Sequence, residues 1–148
     1  MDAINFLIME HDKVRRTFAD ISDNSHREET KKKMFDDLCK ELIRHETMEH
    51  KVWYPHFKND KRLTDTIKHL LEEENHAEKA IKKFDDIKSF EEWEDKFEKL
   101  KNDVEHHARE EETELFPQVK KILSEDKLER IGKNMREFKI DYNRSEMG

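Results

Sequence analysis

Two stretches of this 148-residue chain set a histidine and a glutamate one helical turn apart: HETMEHKVWYP, from His45 to Pro55, and HAREEETELFP, from His107 to Pro117. Aligned without gaps, they place His45 on His107, Glu49 on Glu111 and Pro55 on Pro117. Residues i and i+4 are neighbours on one face of a helix, so each His-x-x-x-Glu pair forms a two-pronged clamp. Neutral imidazole and ionised carboxylate are both suitable ligands for a first-row divalent metal. An unpaired imidazole or carboxylate in a protein interior costs roughly several kcal/mol in lost hydration. A cluster of them at core positions therefore needs a compensating charge, and a cation supplies one.

The elements that must carry these residues are helices. Only two glycines and two prolines interrupt the chain, and Glu, Lys, Asp, Leu and Phe dominate it, a mixture rich in helix formers and poor in strand formers. Charged residues make up 45% of the sequence and the mean hydropathy is -1.20. That would suggest disorder if the apolar minority were scattered, but it is periodic. Ile4, Leu7, His11, Val14, Phe18 and Ile21 recur at steps of 3 and 4, predicting a first helix over about 2–21. Ser25 with Glu28 has the form of a capping box for a second helix reaching Trp53, with Leu38, Leu42, His45, Glu49 and Val52 on its inner face; Pro55 ends or bends it.

A third helix is expected over about 63–87, with Leu63, Ile67, Leu70, Ala80, Phe84 and Ile87 as its apolar stripe and His76 beside it. Ser89 with Glu92 forms another capping box, opening a fourth helix whose stripe runs Trp93, Phe97, Leu100, Val104, His107, Glu111 and Leu115. Short connections between long helices predict an all-α, up-down-up-down antiparallel four-helix bundle over about 2–122. A short amphipathic C-terminal helix over about 124–138 should pack across one end, with the last residues frayed, and the whole chain, 1–148, reads as one domain.

Composition also excludes partners. The net charge of -7, with basic residues interleaved among acidic ones, argues against nucleic acid, and no run of 18 apolar residues or signal-peptide pattern speaks for a membrane or export. One cysteine, Cys39, fits a reducing compartment such as the cytoplasm.

Antiparallel packing should bring His11 and His76 to the depth of the two clamps, giving four histidines and two glutamates. That set suits two metal ions better than one. If each glutamate bridges, the side chains supply about eight of the roughly twelve bonds of two octahedral ions, and an oxo or hydroxo bridge adds about two more. Glu46 or Glu72 could fill what remains, or positions could stay open to a small molecule. His69 is an accessory candidate, His50 and His106 flank the clamps, and His26 and His56 read as solvated. The acidic run Glu72 to Glu74 reads as a solvated face, with Glu72 or Glu73 able to turn inward. Competing motifs fit less well. HETME has glutamate where a zinc protease needs its second histidine, only Glu73 to His76 offers the Glu-x-x-His of ferritin-like bundles, and a structural zinc site would need more cysteines.

Taken together, these residues resemble the hemerythrin-like family, the HHE cation-binding domains, over about Ile4 to Val119. The resemblance implies a di-iron centre held by His11 on helix one, His45 and Glu49 on helix two, His76 on helix three, and His107 and Glu111 on helix four, with Tyr54-Pro55 and Phe116-Pro117 closing the two clamp helices. It also implies Glu46 as a further ligand, because some members use the carboxylate after the helix-two histidine. Oxygen carriers of the family have another histidine one turn before the helix-three one, where this chain has Glu72, so the carrier pattern is incomplete. The function implied is binding, sensing or turnover of O2, nitric oxide or peroxide at reduced iron, or iron handling; for a binding or sensing protein, residues such as Leu7, Leu42, Phe97 and Val104 are expected to line an apolar pocket around the ligand. A peroxidase- or catalase-like enzyme, with Tyr54 or Glu46 as proton donor, and a metal-free helical scaffold are the alternatives.

Overall fold

A computed structural model describes residues 1–147, and among these every regular element is helical. The long helices are α1 (Ala3–Ile21), α2 (Glu28–Met48), α3 (Thr64–Lys82) and α4 (Phe90–Glu110), followed by a short α5 (Phe116–Ile122) and a long α6 (Glu125–Met147). The Asp2 carboxylate caps α1 by accepting from the Asn5 amide at 2.8 Å. Ser89 caps α4 by accepting from the Glu92 amide at 3.1 Å, as its capping box predicts. The Ser25 box is not used. The Asp23 carboxylate takes the Ser25 amide to close the turn, and α2 starts at Glu28 behind Arg27, whose side chain makes no cap.

Both clamp helices change pitch at their glutamate. α2 passes into a π-helical turn over Glu49–Trp53 and α4 into one over Glu111–Leu115. The two prolines explain this: a proline has no N–H, and its ring collides with the carbonyl four residues back. Widening the preceding turn lets the Tyr54 amide bond the Glu49 carbonyl and the Phe116 amide bond the Glu111 carbonyl. The internal repeat seen in the sequence is thus repeated in backbone geometry, and such turns recur at functional sites.

The apolar interior falls into two clusters. One joins Ile4, Leu7, Met48, Trp53, Leu70, Leu115 and Phe116 with Leu128, Ile131 and Met135; the other joins Phe18, Ile21, Phe35, Leu38, Trp93, Phe97 and Leu100. Each fully buried side chain of this size stabilises by about 1.5–3 kcal/mol. Between them, one or two turns from either, lie His11, His45, Glu74 and His107, so the polar belt is clamped from both sides by packed apolar side chains.

The C-terminal helix is not short. It spans 23 residues and packs along α1 and α2, because the Leu128, Ile131 and Met135 stripe continues through Phe138, which stacks on Tyr142 at 5.8 Å between ring centres. Tyr142 lies in the tail expected to fray; of that tail only Gly148 is outside the described residues. Close approach requires glycine at one position of α6, since a Cβ on Gly132 would stand 2.6 Å from the Met1 carbonyl oxygen.

Candidate metal centre

The buried belt brings together His11 from α1, His45 at the end of α2, Glu49 from the turn after it, Glu74 from α3, His107 from α4 and Glu111 from the second π turn. Glu49, Glu74, His107 and Glu111 each present an atom within 4.8 Å of the other three. His45 Nε2 lies 3.0 Å from Glu49 Oε1, and His11 Nε2 lies 3.6 Å from Glu111 Oε2. The rings of His11 and His45 are 5.4 Å apart, so the two clamps and α1 share one centre.

A consistent pattern orients the histidines. His11 Nδ1 meets Glu112 at 2.8 Å, His45 Nδ1 meets Glu10 at 2.9 Å, and His107 Nδ1 meets Glu73 at 3.1 Å. A carboxylate on Nδ1 draws the ring proton there and turns the Nε2 lone pair inward, the outer arrangement typical of metal-ligating histidines. The outer carboxylates are themselves held. Arg44 donates to Glu10 at 2.7 Å and Lys139 of α6 approaches it at 3.1 Å, while Arg15 spans Glu112 and Glu105.

The inner atoms are the telling ones. Glu49 Oε2, both carboxylate oxygens of Glu111 and His107 Nε2 are buried without a hydrogen-bond partner. His107 Nε2 and Glu111 Oε1 are only 2.7 Å apart, yet neither is aligned on the other as donor to acceptor. They are placed as two ligands converging on a shared point. Buried polar atoms left unpaired are rare and costly, and oxygen and imidazole nitrogen donors together suit iron or a similar divalent ion, so the residues present fit a metal.

Electrostatics agrees. Burial, reinforced by the charge of Glu111, raises the Glu49 carboxyl to about 7, and burial with Glu74 and Glu78 nearby raises Glu46 to about 8. Burial pushes His45 down, but Glu49 and Glu10 on its two nitrogens outweigh it and lift it to about 10. His107 is raised for the same reason, against its burial, by Glu111, Glu73 and Glu74. His11 is lowered, its burial prevailing over Glu112. These directions show a cluster that strongly attracts positive charge, as protons or as a cation.

Glu46 lines the cavity of about 330 Å³ that opens onto this belt, together with Val14, Phe18, Leu42, Ile81 and Val104. Leu42 and Val104 thus sit where the sequence puts them. Leu7 and Phe97 instead belong to the two packed cores. His76 is not brought to the cluster: it is 62% exposed, with Nε2 3.7 Å from Asp103. The buried face of α3 runs Ile67, Leu70 and Glu74, and two residues further along a helix the side chain is turned by about 200°. Glu72 is exposed as well.

Sequence reasoning missed Glu74, whose carboxylate accepts from Tyr54 at 3.2 Å and pairs with His50 at 2.8 Å. Its steps of 4 from Leu70 and 7 from Ile67 were a usable signal. The outer carboxylates Glu10 and Glu112 gave none, since each is one among 37 acidic residues in a chain rich in solvated charge; Glu73, one of the two expected to be able to turn inward, does meet His107 Nδ1.

A family model described as the hemerythrin HHE cation-binding domain matches residues 2–119. No curated protein and no solved structure gives a match.

Proposed function

From the premise that this chain belongs to the hemerythrin HHE cation-binding family, we propose that it is a non-haem di-iron protein that binds or reacts with O2, nitric oxide or peroxide, in redox sensing, stress response or iron handling. The observation that carries this reading is the set of unpartnered buried atoms on Glu49, His107 and Glu111. Glu49 and Glu111, central to the cluster, would help to hold the iron. His11 and His45 lie toward one side, with His107 and Glu74 toward the other and Glu46 at the rim. Glu74 takes the helix-three position that the sequence gives to His76. Iron so held would supply electrons to a small oxidising ligand.

The protein's own residues prepare that chemistry. Glu10, Glu73 and Glu112 fix the imidazole tautomers, and the apolar wall of Val14, Phe18, Leu42 and Val104 limits water beside the centre. The bundle we read is up-down-up-down. Its support is the order in which successive helices pass from one apolar cluster to the other: Leu7 to Phe18, Leu38 to Met48, Leu70 to Phe84, and Leu100 to Leu115. No helix among the described residues is long and apolar enough to cross a membrane, and the unpaired, buried Cys39 is the ground for a cytoplasmic reading.

The test is metal content and the visible spectrum of protein loaded with Fe(II) without oxygen and then exposed to air. About two irons per chain with new charge-transfer bands are expected. Absence of stoichiometric iron and of bands would overturn the reading in favour of a metal-free scaffold. One observation favours a second, enzymatic reading: the buried Tyr54 hydroxyl on Glu74 is a proton donor at the edge of the cluster. Steady-state peroxide consumption that falls at least about a hundredfold in Tyr54→Phe would select it, this being the low end of what a positioned proton donor contributes.

A further inference from the structure

Outside the buried cluster, α3 and α4 carry a second pair of His-x-x-x-Glu clamps, His69 with Glu73 and His106 with Glu110. They face each other across the α3–α4 contact. His69 Nε2 lies 3.0 Å from Glu110 Oε2 and 3.5 Å from Glu73 Oε2; His106 Nε2 lies 2.7 Å from Glu110 Oε1 and 3.4 Å from Glu73 Oε2. Both imidazoles thus aim the same nitrogen at the same two carboxylates. Around a zinc ion with bonds of about 2.0–2.1 Å, tetrahedral donors stand roughly 3.3 Å apart; His69, Glu73 and Glu110 present donors within 4.8 Å of one another, and His106 faces the same two carboxylates. His69 and His106 are 57% and 63% exposed, whereas Glu73 and Glu110 are half-buried, so an ion can enter from solvent against a firm floor.

We propose that His69, Glu73, His106 and Glu110 form a solvent-facing site for one divalent transition-metal ion. The donor set, two imidazoles and two carboxylates, selects a borderline ion such as Zn2+, Co2+ or Ni2+ over Mg2+ or Ca2+. The site stands on its own surface geometry and does not require the buried cluster to hold iron. It is nevertheless tied to that cluster, because Glu73 turns its other oxygen to Nδ1 of His107 at 3.1 Å. One carboxylate thus borders an outer cation on one side and orients a buried histidine on the other.

The test uses the full, untagged chain with zinc as the probe, measuring bound zinc per chain by mass spectrometry after dialysis and affinity by calorimetric titration. Wild type should bind one more zinc than His69→Ala/His106→Ala, and Glu110→Gln should weaken that step at least about tenfold, since even outer-shell partners are worth that much. Glu111→Ala should lose buried ions while keeping the outer one, so failure of either site is seen separately. Equal stoichiometry and affinity in wild type and the double variant would overturn the proposal. So would loss of the buried ions from the double variant, which would make the outer residues part of one centre. His69, His106 and Glu110 belong to neither apolar cluster, and an unchanged melting temperature of the zinc-free variants confirms that they fold.

Discussion

Removing metal from this protein should cost it a large part of its stability, and the size of the effect follows from four atoms. Glu49 Oε2, Glu111 Oε1, Glu111 Oε2 and His107 Nε2 are buried and unpaired, and each such group costs about 1–3 kcal/mol when nothing compensates it. Together they put on the order of 6 kcal/mol at stake. Protonation recovers part of this, because burial and Glu111 hold the Glu49 carboxyl near 7 and Glu111, 2.7 Å away, favours a protonated His107. Taking about half gives roughly 3 kcal/mol, and at about 2–4 °C per kcal/mol for a domain of this size the melting temperature should fall by about 10 °C. The assay is thermal unfolding followed by helical circular dichroism, with Fe(II)-loaded protein compared with chelator-dialysed protein under anaerobic conditions. Glu111→Leu deletes two of the four atoms and should show almost no difference between the two states. A wild-type melting temperature that moves by less than about 2 °C on rigorous metal removal would refute the reasoning.

Other outcomes test other links. Glu112→Ala removes the carboxylate on His11 Nδ1 and should weaken iron binding by about 10–100-fold, measured by competition with a chromophoric chelator, with helix content unchanged. His76→Ala should leave iron stoichiometry as in wild type, because that side chain faces Asp103 and solvent; loss of iron would restore it as a ligand. Gly132→Ala should destabilise by about 1–3 kcal/mol in denaturant unfolding, since its Cβ meets the Met1 carbonyl at 2.6 Å, and a gain in stability would mean the N-terminus yields freely. Burial pushes the Cys39 thiol up to about 12, so the native protein should resist thiol reagents at pH 8 and react on unfolding, when the group returns to its ordinary value near 8.5.

The sequence by itself determined the all-helical class, the bounds of most helices and the doubled clamp, because these depend on local spacing. Steps of 3 and 4 fix which residues share a face, and proline fixes where the helical hydrogen-bond ladder must change. His11, His45, Glu49, His107 and Glu111 were legible for that reason: each stands on an apolar stripe where a polar group is conspicuous. Tertiary structure decided what spacing leaves open. The rotation of α3 against its neighbours chose Glu74 over His76, a matter of which side of one helix faces the belt. The carboxylates behind the histidines come from other elements, as with Glu10 behind His45 and Glu112 behind His11, and no local pattern marks a charge that becomes specific only when a distant helix packs beside it. The same holds for α6. Its amphipathic stripe predicts a helix, but its length and its reach to Glu10 through Lys139 depend on the groove that α1 and α2 offer it.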